Sequence, residues 1–372
     1  MGASAVPCPA EPEVAMIVAS LVLASAALDW PSFRPTWDGN AVLPGLLVPP
    51  LRRIWVARTT GAIENTVAIS GNRAFVATMD GTVECRRLED GERVWTYRSH
   101  SAFSASPTVW RGRVYIGDAG GEFHALDASS GKRLWSRQTG DKIVSSATVA
   151  GTRVLFGSYD CRLYCLDASS GKVLWIHTSK AQVHATPSLR GSEVWYAGCD
   201  GSVHAVDLSS GRLLRSVKLG GNFAASAVVG GDGVLAGNST GLLAWISPAG
   251  KVRWSVREKE DGAGVYGTPV VWGGLGVVPS RSQRLFALSL ATGKLAWTYP
   301  AEGAVESSPI AVGSTVVAGD DSGWLHLVRA TDGKSIWKTR LGGQIKGSAS
   351  WNGTLLLIGT TDGRLWAFAG KG

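Results

Sequence analysis

Tryptophan recurs along this chain at a fixed stride, and the stride limits the fold more than any other feature. Trp55, Trp95, Trp135 and Trp175 lie 40 residues apart, and Arg215 occupies the next slot. Trp254, Trp297 and Trp337 follow at steps of 39, 43 and 40, making eight slots, seven of them tryptophan. The stretch ALDASSGKRLW at Ala125–Trp135 returns as CLDASSGKVLW at Cys165–Trp175. A period of about 40–45 residues is the size of four short strands with their turns, which is one blade of a propeller.

The interior of a period reads as strands. Between Ser104 and Trp135 the runs SPTVW, RVYIG, EFHALD and KRLW are short and β-rich, and RG, GDAGG and ASSG between them are turn chemistry. No window combines helical periodicity with caps. Asp80–Gly81, Asp200–Gly201 and Asp362–Gly363 mark hairpins between second and third strands. Twenty-nine residues before each slot, or 28 in one period, stand Thr66, Ser106, Ser146, Thr186, Ser226, Thr268, Ser308 and Ser348. This column falls in the first strand, nearest the axis, where bulky side chains would collide. Small residues with a local hydroxyl bond are the expectation there, ahead of a functional hydroxyl ring.

The recurring pattern is A-x-D-x-x-x-G-x-x-x-W. Its small first residues include Ala125, Cys165, Ala205, Ala244 and Ala287, its aspartates Asp127, Asp167 and Asp207, and its glycine recurs from Gly91 to Gly333. The indole is expected to wedge between neighbouring blades, where burial removes roughly 150–250 Å² from water. The glycine permits a turn with positive φ, and the aspartate closes that turn. These motifs, with DWPSFR at Asp29–Arg34, resemble the tryptophan-docking repeats of the PQQ-like quinoprotein β-propellers across residues 29–372. The resemblance is specific for fold and less so for function. The family includes PQQ-dependent dehydrogenases and non-catalytic scaffolds such as the outer-membrane assembly lipoprotein BamB.

The expected fold is all-β: an eight-bladed propeller of four-stranded antiparallel blades. RRIWVAR around Trp55 is a fourth strand with no blade before it, and the last period, ending in RLWAFAG, lacks its fourth strand. Joining the two closes the ring and removes exposed sheet edges. The expected divisions are a leader at 1–28, an extension packing on the propeller at 29–51, and the propeller at 52–372. Met16–Leu28 is 13 apolar or small residues, too short to span a bilayer. It resembles the apolar core of a secretion signal, although Glu11 and Glu13 precede it and no Lys or Arg does. An extracytoplasmic, periplasmic monomer without a transmembrane span is therefore expected.

The net charge of +8 comes from 37 basic against 29 acidic residues, and the basic ones are scattered over turns. With no dense basic run or motif, nucleic acid is not an expected partner. Of the five cysteines, Cys85 and Cys165 are expected to be buried small residues and Cys8 to lie outside the fold. Pairing of Cys161 with Cys199, in turns of neighbouring blades, stays open. The spacings fit neither a zinc site nor a disulfide framework.

The resemblance implies, for dehydrogenases, adjacent cysteines, calcium ligands and an aspartate base near PQQ. This chain has no Cys-Cys pair. The expectation is no catalytic residue, no metal and no cofactor, with PQQ and calcium as the alternative. GNSTG at Gly237–Gly241 matches the letters of a nucleophile elbow but sits in a hairpin instead of a strand–turn–helix. His124, His204 and His326 share a column in blades too far apart to share one zinc.

One column is left unexplained by the repeat. Two residues before each hydroxyl stand Glu64, Ser104, Val144, His184, Ala224, Tyr266, Glu306 and Lys346, at the entry to the innermost strands. Packing alone would give uniform residues, and these vary. Glu64, His184, Tyr266, Glu306 and Lys346 are therefore candidate rim residues for a ligand or partner. Glu258, Lys259, Glu260 and Asp261 join them, in the long connection before blade 6 that loops on a rigid scaffold make a natural binding element. The functional expectation is a non-catalytic scaffold for an envelope protein partner. The alternatives are a PQQ-dependent alcohol or sugar dehydrogenase and a small-ligand-binding propeller.

Overall fold

In each period the second and third strands are buried along nearly their whole length, as in Arg153–Ser158 and Arg162–Asp167. The fourth strand alternates between exposed and partly buried residues, as in Arg93–Arg98. That gradient requires sheets covered on both faces near an axis and open at the outer edge. The computed structural model describes residues 28–260 and 264–370 and has this arrangement. Blade 1 comprises Ala68–Ser70, Arg73–Ala77, Thr82–Arg87 and Arg93–Arg98, hydrogen-bonded in chain order. Eight such antiparallel sheets form among the described residues, which contain no helix.

The ring closes as the sequence predicts. Strand Arg52–Arg58 lies antiparallel on Arg364–Ala369, with Trp55 opposite Ala367 and Val56 opposite Trp366. Together with Ser350–Trp351 and Leu355–Thr360 they form blade 8.

Between blades, the indole N–H of Trp55 donates to the Leu88 carbonyl at 2.8 Å, and that of Trp297 to Ala330 at 2.9 Å. Trp95, Trp135, Trp175 and Trp254 make the equivalent bond to Ala128, Ala168, Leu208 and Leu290. Each of these six indoles lies against the glycine of the next blade's turn. A Cβ on Gly131, at φ +73°, would sit 2.6 Å from the ring of Trp95. Trp337 packs on the core without such a bond among the described residues. At the slot without tryptophan, Arg215 lies against Gly250, pairs with Glu193 and stacks over Trp195.

Every fourth strand carries one extra residue immediately before its slot. Leu134 is skipped as Arg133 pairs with Leu126 and Trp135 with Ala125. The same irregularity recurs in all eight sheets. A bulge re-aims the side chain that follows it, here across to the next blade. A small residue stands directly opposite the indole within its own blade at Cys85, Ala125, Cys165, Ala287 and Ala367, and Leu327 takes that place opposite Trp337. Blade 5 differs from the expected alignment: Trp245, not Ala244, faces Trp254, and Ala244 faces Ser255.

Residues 28–51 run across the first strands of successive blades before entering blade 8. Trp30 bridges Ile69, and the amides of Val109, Leu189, Val229 and Ala311 donate to Pro31, Trp37, Asp38 and Ala41. Asn40 takes up both backbone groups of Val271, each at 3.0 Å. Val42–Leu43 then adds a short parallel strand to blade 7. This strap reaches the inner edges of six blades and meets backbone groups that would otherwise go unpaired.

Candidate functional site

The first strands surround a polar cavity of about 180 Å³, which opens into a mouth of about 580 Å³. The hydroxyl column forms its wall. The expected local bonds are not what the hydroxyls make; they bond between blades. The Thr66 amide donates to Ser106 Oγ at 3.0 Å, Ser106 to Ser146 at 2.9 Å, and Ser146 to Thr186 at 3.1 Å. Thr186, Ser226 and Thr268 continue the chain to Ser226, Thr268 and Ser308. A second series lies two residues on, where Thr108, Thr148 and Ser188 donate to carbonyls of the following blade. A small hydroxyl is needed here because only a short side chain reaches the neighbouring strand's amide.

The strap supplies the foot of the cavity. Phe33 lines it, and Arg34 is buried beside it, its guanidinium carbon 4.8 Å from the Phe33 ring centre. Arg34 donates Nη1 to the Pro309 carbonyl at 2.8 Å and Nη2 to Thr268 at 2.5 Å. Burial lowers its pKa to about 9, against a small opposing effect of Asp38, so it remains a cation at neutral pH.

At the open end the structure places all eight residues of the variable column around the cavity: Glu64, Ser104, Val144, His184, Ala224, Tyr266, Glu306 and Lys346. Their chemistry divides by blade. Blades 6, 7, 8 and 1 contribute Tyr266, Glu306, Lys346 and Glu64. Arg281 meets Glu306 at 3.1 Å and lies over the Tyr266 ring at 4.8 Å, and Lys346 meets Glu64 at 3.7 Å. Blades 2 to 5 contribute Ser104, Val144, His184 and Ala224, with Phe223 alongside. Tyr159 Oη and His184 Nδ1 share a hydrogen bond of 2.7 Å. Burial, with Lys142 adding repulsion, pulls the His184 pKa down to about 4. The column residues of one arc are thus charged and paired, and those of the other carry no charge at neutral pH, with Lys142 over the Tyr159 ring behind them.

Of the long connection before blade 6, Tyr266 lines this mouth but Glu258, Lys259 and Glu260 do not. Glu258 is buried against blade 6, accepting from Ser280 Oγ at 2.7 Å and pairing with Arg284 at 2.7 Å. With Lys259 and Glu260 it borders a separate recess that includes Leu243, Phe286 and Leu295. Asp261 falls outside the described residues, as do residues 1–27 with the leader and Cys8. Cys161 and Cys199 are both free thiols, and Cys85 and Cys165 are buried.

Two members of the histidine column, His124 and His326, latch neighbouring blades together, while His204 meets Asp200 of its own blade at 3.0 Å and leaves its Nδ1 without a partner among the described residues. Tyr97 Oη meets His124 Nδ1 at 3.1 Å, and His124 Nε2 meets Asp118 at 2.9 Å. Tyr299, His326 and Asp320 repeat this at 3.0 and 2.9 Å. Burial alone would raise the Asp118 pKa, but hydrogen bonds from His124 and Ser99 outweigh it and hold the carboxylate below its ordinary value. Sequence reasoning missed this role because each tyrosine belongs to the preceding blade's fourth strand.

The family model described as outer membrane protein assembly factor BamB matches in four overlapping windows: 52–150, 140–257, 239–322 and 305–372. Among solved structures, BamB from Moraxella catarrhalis superposes with a TM-score of 0.75 at 18% identity, over 86% of this chain and 99% of that one. Quinohemoprotein alcohol dehydrogenase from Comamonas testosteroni superposes with a TM-score of 0.78 at 15% identity, over 94% and 82%. Identities this low speak for a shared fold alone. Tetrathionate hydrolase of Acidithiobacillus ferrooxidans is 30% identical over 151 residues, covering 33% of this chain and 30% of that protein. The chain thus spans under a third of the curated relative it matches. Since the family model covers every blade, the chain belongs to the family of the outer membrane protein assembly factor BamB.

Proposed function

We propose that this chain is a non-catalytic propeller scaffold of the bacterial cell envelope whose channel mouth receives a segment of a protein partner. The match of the assembly-factor family model along 52–372 carries this reading. The mouth supports it: its charged groups pair with one another, Arg281 with Glu306 and Lys346 with Glu64. Rigid strands hold a charged arc opposite an uncharged one, which suits a segment with one charged and one apolar face. No helix among the described residues is long and apolar enough to cross a membrane.

The quinoprotein neighbours raise the dehydrogenase reading. PQQ is a tricarboxylate, and the calcium that accompanies it takes about 6–8 oxygen ligands. Glu64 and Glu306, the carboxylates lining the cavity, already face cations. Among the described residues, the groups of three that could hold a metal, Asp118 with Glu122 and His124 and Glu302 with Asp320 and His326, include the histidines and aspartates of the blade latches. The channel residues therefore do not fit a quinone with calcium.

A photoreactive p-benzoylphenylalanine replacing Tyr266 in the native bacterium is expected to give an adduct with one envelope protein. Charge reversal at Glu64 and Glu306 removes it. Adducts that survive the reversal, or saturable quinone-dependent dye reduction with an alcohol or sugar, overturn the reading.

A further inference from the structure

We propose that the foot of the axial channel binds one small inorganic anion, of halide or tetrahedral-oxyanion size, held by the hydroxyl ring above Arg34. The first observation is a buried cation with no carboxylate in salt-bridge contact. Arg34 is 2% exposed, and its two characterised partners are the neutral carbonyls of Pro309 and Thr268. Its Nε has no hydrogen-bond partner among the described residues, and the carboxylate of Asp38 offsets its charge only in part and through space. Burying a charge without a paired partner is costly unless something offsets it.

The second observation is a surplus of donors on the axis. A hydroxyl offers one O–H and two acceptor sites. Six of the eight ring hydroxyls use an acceptor site for the neighbouring blade's amide. None of the eight donates its own O–H to a protein acceptor among the described residues. At the break in the ring, Thr66 Oγ1 and Ser348 Oγ are buried at 1% and 2% exposure with no partner at all. All eight residues line one cavity of about 180 Å³, roomy against the ≈ 30 Å³ share of one liquid water.

Converging O–H donors backed by a fixed positive charge favour an anion. A cation would be repelled by Arg34, and a neutral polyol would gain nothing from its charge. Phe33 lines the cavity and the Arg34 guanidinium, 4.8 Å from its ring centre, does not, so the anion meets the hydroxyls directly and Arg34 through its field, strong in a low-dielectric interior. Thr186 and Ser226 border both the cavity and the small gap beside Arg34. The mouth does not bar entry, since each lining carboxylate is matched by a cation.

The test is anomalous scattering from crystals of the full chain in sodium bromide and, separately, sodium selenate. The expected result is a peak on the axis within hydrogen-bond reach of the ring hydroxyls. A bromide peak assigns a halide, and a selenate peak an oxyanion. In solution, exchanging sodium gluconate for the bound salt at constant ionic strength should lower the melting temperature of the native chain. The Ser226→Ala/Ser308→Ala double variant should lose that response and the peak together. Arg34→Met is expected to lose both as well; the hydroxyl variant keeps the test valid if Arg34→Met does not fold. Absence of an axial peak in both salts, or an undiminished peak and response in the double variant, overturns the proposal.

Discussion

His184 is where residue chemistry and the channel meet most sharply. Its folded pKa of about 4 lies below its ordinary 6.5 because burial, and then Lys142, disfavour the charged ring. Between those values the unfolded chain binds a proton that the folded chain does not, so stability falls as pH drops from 6.5 towards 4. The loss is on the order of 2–3 kcal/mol. Urea midpoints at pH 7 and 4.5 should show this loss, and His184→Gln should reduce it markedly. An unchanged slope in the variant would assign the pH dependence to other groups. The rim column was legible in the sequence because Glu64, Val144, Tyr266 and Lys346 break a repeat that is otherwise uniform. The burial of Glu258 was not, because its partners Ser280, Ser282 and Arg284 come from the next blade. Local sequence marks a charged loop and is silent on what packs over it.

At the scale of the element, the blade is built to hand one side chain to its neighbour. The bulge before each slot turns the indole out of its own sheet, and the glycine of the next turn receives it. No residue type announces the bulge: Ile54, Leu134, Arg253 and Ala296 all occupy the extra position. The repeat therefore revealed the tryptophan and the glycine but not the device that aims one at the other. Gly131 and Gly151 separate the two demands on glycine. Both have positive φ, at 73° and 63°, but a Cβ at Gly151 meets nothing within 4 Å, whereas one at Gly131 strikes Trp95. Gly151→Ala should cost about 1–2 kcal/mol for the left-handed backbone alone. Gly131→Ala should cost more, by about 1–3 kcal/mol of overpacking. Equal losses in denaturant titrations would show that the indole contact contributes nothing.

For the molecule as a whole, one segment performs two tasks. Residues 28–51 cover the inner edges at the foot of the channel, and the strand that follows completes blade 8. The closure was legible because the repeat count left a fourth strand at one end and a gap at the other. The strap's path was not, because its contacts are to backbone groups, which any sequence presents. A ring closed this way holds Phe33 of the strap and the variable column around one axial cavity, and the functional reading rests on that geometry. Native-state hydrogen exchange, compared between the intact chain and one beginning at Thr59, tests it most directly. In the intact chain the amides of Arg364–Ala369 should exchange as slowly as those of Arg162–Asp167. They should lose that protection when Arg52–Arg58 is missing. Equal protection of Arg364–Ala369 in the two chains would contradict closure by the N-terminal strand.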